Sequence, residues 1–173
     1  MRNILVVIDM QNDFIDGALG TQEAQAIVGT VVEKIKAYPK SDVYATRDTH
    51  GADYLDTAEG KKLPVEHCIR GTKGWEIHPD IARLLEPSHI VDKPTFGSLV
   101  LTRLLEEENK QEEIQVELVG LCTDICVVSN ALLLKAALPE NTIYVDASCC
   151  AGVTPKSHEA ALMTMEMCQV GVV

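Results

Sequence analysis

The chain has 173 residues, 46% of them hydrophobic, and a formal net charge of −11 at neutral pH. Those values suit one α/β domain with a full core. The acidic balance, with no basic stretch, excludes nonspecific binding to nucleic-acid phosphates. No apolar run approaches the ~20 residues that a membrane span needs.

The first strand pattern, residues 4–8, follows Met1-Arg2-Asn3 directly, so no secretory leader is expected. A helical pattern covers 22–37 and a second strand 43–46. Then comes an irregular stretch from Asp48 to Gly74, longer than ordinary connections and therefore a candidate functional loop. A helix is predicted over 79–85, a strand over 89–91, a helix over 98–108 and a strand over 115–119. The remaining elements are a helix over 124–138 closed by Pro139, a strand over 142–145, a helix over 155–167 with Pro155 in its first turn, and a last strand over 170–173.

The strands are short, β-branched and apolar on both faces. Repeated β-α units with right-handed crossovers predict a three-layer α/β/α domain spanning 1–173, built on a six-stranded, mostly parallel sheet. Ligands of such sheets bind beyond the carboxyl ends of the strands, where Asp9, Asp48, Lys93 and Cys126 all fall.

Cys126 stands where the apolar run ending at Val119 breaks into a helical pattern, so the helix dipole would favour its thiolate. Asp9 could take the thiol proton and Lys93 could hold the resulting charge, which makes a hydrolase constellation. Each also has a plain role: Cys126 as packing filler, Asp9 as a turn cap, Lys93 as a solvated loop lysine. Cys122 is an alternative reactive thiol. The six cysteines are irregularly spaced and read as reduced thiols of a cytoplasmic protein.

A second constellation lies in the long loop. Asp48 and His50 are two apart, so their side chains share a side of an extended backbone, and His67 could close onto them. Two imidazoles and a carboxylate suit one divalent ion, zinc first, with iron or manganese as alternatives. Glu59 and Glu66 are both candidate further ligands. Trp75 and Phe96, two of very few aromatics, are either core residues or walls for a flat substrate.

Asp9-Met10-Gln11-Asn12-Asp13-Phe14, Arg47-Asp48-Thr49-His50, Pro64-Val65-Glu66-His67-Cys68-Ile69-Arg70-Gly71-Thr72, Lys93-Pro94-Thr95-Phe96 and Thr123-Asp124-Ile125-Cys126-Val127 run in order along the chain. Together they resemble the motifs of the isochorismatase-like cysteine hydrolases, in their nicotinamidase-related branch. The resemblance implies an Asp9–Lys93–Cys126 triad and a metal at Asp48, His50 and His67. It also implies a cis peptide between Leu121 and Cys122, with an oxyanion hole made by the backbone N–H groups of Cys122 and Cys126. Phe14, Trp75 and Phe96 would flank the substrate. The implied reaction is hydrolysis of a small amide such as nicotinamide to the acid and ammonia, in a homo-oligomer, with neither nucleic acid nor membrane as partner. Two positions depart from the pattern: Glu66 stands where proline usually precedes the last histidine, and Phe96 where tyrosine is common. Alternative expectations are another small amide or an N-carbamoyl compound as substrate, and a non-catalytic metal- or ligand-binding domain.

Overall fold

The computed structural model describes residues 1–173. In chain order it contains strand β1 (Arg2–Ile8), helices α1 (Asn12–Ile15) and α2 (Gln22–Lys36), β2 (Val43–Asp48), α3 (Ala58–Lys62), α4 (Pro79–Ala82), β3 (Ile90–Lys93) and α5 (Leu99–Gln111). It continues with β4 (Ile114–Leu121), α6 (Val128–Ala137), β5 (Ile143–Ala151), α7 (Pro155–Met167) and β6 (Gly171–Val172). The six strands form one sheet in the order β3-β2-β1-β4-β5-β6, every pair parallel.

Alternation along β1 shows how the three layers are held. Ile4, Val6 and Ile8 face one side, against Leu101 and Leu105 of α5, Ala131 and Leu134 of α6 and Leu162 and Met165 of α7. Leu5 and Val7 face the other, against Ile27, Val31 and Ile35 of α2. Each fully buried side chain of this kind contributes roughly 1.5–3 kcal/mol.

The structure adjusts several expected elements. The segment expected as one helix over 124–138 instead begins with a π-helical turn at Thr123–Val127, and only then becomes α6. Its signature is the wide Val127 N–H to Cys122 carbonyl bond, 3.0 Å. Such turns insert one residue into the helical ladder and recur at functional sites. The helix expected over 79–85 stops at Ala82. The loop after Asp48 is not wholly irregular: it contains a 3₁₀ turn (Tyr54–Asp56) and α3, whose N-cap Thr57 accepts the Gly60 N–H at 3.0 Å.

The direction of strand addition reverses at β1, which runs to β2 and β3 on one side and lies against β4 on the other. That switch point is where an open parallel sheet leaves a crevice. Gly120 lets β4 close up there. Its φ is +118°, and a Cβ on it would meet the Ile8 carbonyl oxygen at 2.1 Å.

Candidate active site

The carboxyl ends of four neighbouring strands deliver the expected residues to one place. Register pairs Asp48 with Lys93 at the ends of β2 and β3, and Ile8, just before Asp9, with Gly120 of β4. Asp9 has φ +44°, the left-handed region that few non-glycine residues occupy. Its amide N–H donates to Thr46 Oγ1 at 3.3 Å, and the Thr46 hydroxyl donates to Asp9 Oδ1 at 2.7 Å. Such a conformation persists only where the surroundings enforce it.

Lys93 is the hub. It is 1% exposed, and its ammonium lies 2.6 Å from Asp9 Oδ2, 3.4 Å from Cys126 Sγ and 3.5 Å from Asp48 Oδ1, while donating to the Thr95 carbonyl at 3.0 Å. Burial alone would pull this ammonium down, but the charges of Asp9, Cys126 and Asp48 outweigh it and keep it cationic. Asp9 is fully buried. Its Oδ2 pairs with Lys93 but accepts no well-aligned hydrogen bond, which leaves a lone pair for another donor.

Cys126 sits in the π-helical turn, 4% exposed. The sequence led us to expect a thiolate favoured by the helix dipole; the structure corrects this. Burial first, and then the Asp9 carboxylate, push the thiol well above its ordinary value, with Lys93 opposing only in part. Burial likewise raises the Asp9 carboxyl, against the pull of Lys93. Two groups are thus each biased towards holding a proton beside a fixed cation, which is the arrangement for passing one proton between them. Cys122 lies four residues earlier, after a cis peptide bond with Leu121. Burial pushes its thiol up to about 12, and Lys93 is not bonded to its sulfur.

Beside this trio, His50 Nε2 lies 3.0 Å from Asp48 Oδ2 and 3.7 Å from Glu59 Oε1. His67 Nε2 lies 3.7 Å from Asp48 Oδ2 and 3.6 Å from Glu59 Oε1. All four ligand atoms fall within 4.8 Å of one another. His67 Nδ1 is 2.8 Å from the Val65 carbonyl, so it carries the proton and leaves the Nε2 lone pair facing the cluster. Burial would lower His50, but its hydrogen bond to Asp48 and the nearby carboxylates raise it; burial would raise Asp48, but the His50 hydrogen bond and the Lys93 charge hold it below the usual carboxylate range. Two imidazoles and two carboxylates converging at this distance fit a divalent ion that accepts N and O ligands. Between the two candidate extra ligands, the structure selects Glu59, on α3; Glu66 is exposed.

A cavity joins the two groups, lined by Phe14, Glu59, Leu63, His67, Phe96 and Cys126 among others. Phe14 packs against the His67 ring at 5.6 Å between centroids. Trp75 is absent from this lining, which corrects its expected role as a wall. It is held instead beneath Arg47, whose guanidinium stands 3.6 Å from the ring centroid, and its indole N–H donates to Thr49 Oγ1 at 2.9 Å.

Sequence reasoning missed the supports. Gln11, fully buried, accepts the Asp48 N–H at 2.7 Å and donates to the Asp48 and Trp75 carbonyls, both at 2.8 Å. Asp13 accepts the Cys68 N–H at 2.7 Å and so anchors the backbone next to His67. Gly74 allows that approach, since a Cβ there would meet the Asp13 carboxylate at 2.2 Å. Polar residues close after the first strand run were the only available signal.

The chain matches the isochorismatase domain over residues 3–173. It belongs to the isochorismatase family. Nicotinamidase/pyrazinamidase of Mycobacterium tuberculosis is 26% identical over 182 residues, covering 98% of this chain and 97% of that protein. The crystal structure of nicotinamidase/pyrazinamidase from Bacillus subtilis is 27% identical, with a TM-score of 0.81 and full coverage of both chains. N-carbamoylsarcosine amidase from Thermoplasma acidophilum is 25% identical, with a TM-score of 0.75 over 99% of this chain and 95% of that one. No helix is long and apolar enough to cross a membrane.

Proposed function

We propose that this protein is an amidohydrolase that converts a small heteroaromatic carboxamide, nicotinamide or a close analogue, to its acid and ammonia through a Cys126 thioester. The observation that carries this reading is the Lys93 ammonium bridging Asp9 Oδ2 and Cys126 Sγ inside a buried site. Similarity to the nicotinamidases of M. tuberculosis and B. subtilis supports the amide as the bond attacked.

Asp9 Oδ2 takes the thiol proton, and Lys93, which touches both groups, stays paired with the negative charge as it passes from the carboxylate to the sulfur. The sulfur attacks the carbonyl carbon while the carbonyl oxygen accepts from the Cys122 and Cys126 backbone N–H groups. Asp9 returns the proton to the departing nitrogen, ammonia leaves, and a thioester remains. Asp9 then deprotonates a water that attacks this thioester and frees Cys126. Asp48, His50, Glu59 and His67 would hold one divalent ion, zinc or alternatively iron or manganese. Such an ion supplies an open coordination position suited to a ring-nitrogen lone pair. Phe14 and Phe96 would border the ring.

Nicotinamide is therefore expected to exceed benzamide, which lacks the ring nitrogen, in kcat/KM by at least ~10-fold, or about 1.4 kcal/mol in the transition state. Equal rates, measured by ammonia release, would refute recognition of the ring nitrogen. Similarity to N-carbamoylsarcosine amidase favours one second reading, an N-carbamoyl substrate; activity on N-carbamoyl amino acids with none on nicotinamide would establish it.

Two expectations concern protons. Asp9 acts as base only when ionised, and burial raises its pKa. Activity should thus fall on acidification through a midpoint above the ordinary carboxylate value of ~3.9; an acid limb at or below that value in the kcat/KM profile would contradict the assignment. Metal purified with the protein should approach one ion per chain by elemental analysis. Its affinity should fall as pH drops through the imidazole range, because His50 and His67 bind metal only when deprotonated. Retention of full metal in the His50→Ala, His67→Ala double variant would contradict this ligand set.

A further inference from the structure

The loop that follows Lys93 and carries Phe96 is bonded to the Cys126 turn through the Asn130 side chain. Asn130 lies on α6, four residues after Cys126, and is 1% exposed. Its Nδ2 donates to the Cys126 carbonyl at 2.7 Å and to the Phe96 carbonyl at 3.1 Å, while its Oδ1 accepts the Ser98 N–H at 2.9 Å. Both donor hydrogens and the acceptor are thereby used, so the amide has a fixed orientation. The two loop contacts straddle Gly97, where a Cβ would meet Leu133 Cδ1 of α6 at 2.5 Å, so the loop lies close against the helix. Phe96 itself is 41% exposed yet lines the cavity beside Cys126. An aromatic ring that open has little packing to hold it; its backbone must be held instead.

We infer that Asn130 is a specificity-determining positioning residue: by bonding Phe96 and Ser98 to the Cys126 turn, it fixes the Phe96 ring as the aromatic wall over the reacting sulfur. The inference rests on the cysteine-hydrolase reading for its consequence in turnover. Hydrolysis of an aromatic amide should then depend on Asn130 mainly through KM, because the ring wall acts on binding, whereas the Asp9–Lys93–Cys126 contacts remain. An aliphatic amide, which makes no use of the wall, should be affected much less.

The test compares two electrophiles at Cys126, one aromatic (phenacyl bromide) and one aliphatic (iodoacetamide), with labelling quantified by peptide mapping. It needs no turnover, so failure of the amide assignment and failure of this inference give different results. Asn130→Leu removes all three bonds, and Asn130→Asp keeps the volume and the acceptor but removes both donors; the second variant serves if the first does not fold. Each should lower the aromatic-to-aliphatic labelling ratio at Cys126 by at least about fivefold, as Phe96→Ala should, because both remove the same contact. In a Phe96→Ala background, adding the Asn130 change should leave the ratio within about twofold. Equal slowing of both reagents by Asn130→Asp would mark Asn130 as merely structural and overturn the inference. So would a Phe96→Ala ratio equal to that of the unaltered protein, or effects of the two changes that multiply.

Discussion

Cys126→Ala should abolish amide hydrolysis, lowering kcat by at least ~10⁴-fold, whereas Cys122→Ala should keep activity within about tenfold. The two sulfurs are four residues apart and both line the cavity, but only Cys126 has the Lys93 ammonium at 3.4 Å. Cys122 would contribute its backbone N–H, which alanine preserves. Ammonia release by the two purified variants settles the choice. Activity that survives in Cys126→Ala and vanishes in Cys122→Ala would reverse it.

Lys93→Met should be costly in both stability and rate. The substitution keeps most of the volume but leaves the Asp9 and Asp48 carboxylates without their shared cation in a site where all three side chains are at most 4% exposed. Breaking a buried ion pair from one side typically costs ~3–5 kcal/mol. For a chain of this size that is a fall in melting temperature on the order of 10 °C. Turnover should fall with it, because Asp9 would then hold a proton and no longer accept one from Cys126. Adding Asp9→Asn to Lys93→Met should recover part of the stability, since it removes one unpaired charge, but none of the activity. A Lys93→Met protein that melts like the unaltered chain would show that the ammonium is better solvated than its 1% exposure implies.

Asp9 and Lys93 were legible because they stand at the ends of strand runs, and Cys126 because it opens the helical pattern that follows another; a parallel sheet collects such points at one edge. The pair Asp48 and His50 was legible from its two-residue spacing at the end of β2. Glu59 was not, because spacing treats it and Glu66 alike. What separates them is the five-residue helix α3 capped by Thr57, too short to leave a periodic trace. The π-helical turn was equally hidden: one inserted residue leaves the run from Asp124 to Leu138 looking like a single helix. Trp75 was misplaced because its composition signals an aromatic wall, while its location depends on Arg47, 28 positions earlier in the chain, stacking on the ring. The thiol's bias was misjudged for a related reason. Helix position is visible in sequence, but the burial of Cys126 beside Asp9 is a tertiary fact, and burial together with that carboxylate pushes the thiol up. Gln11, Asp13 and Thr46 likewise acquire meaning only from partners tens of residues away.

The most direct measurement is acid quench of the enzyme during turnover of nicotinamide, followed by mass analysis of the peptide containing Cys126. A nicotinoyl thioester should be found on Cys126, absent from Cys126→Ala and much reduced in Asp9→Asn, which lacks the group that takes the thiol proton. Hydrolysis of nicotinamide at full rate in Cys126→Ala, or an acyl group mapped to another residue, would contradict the account.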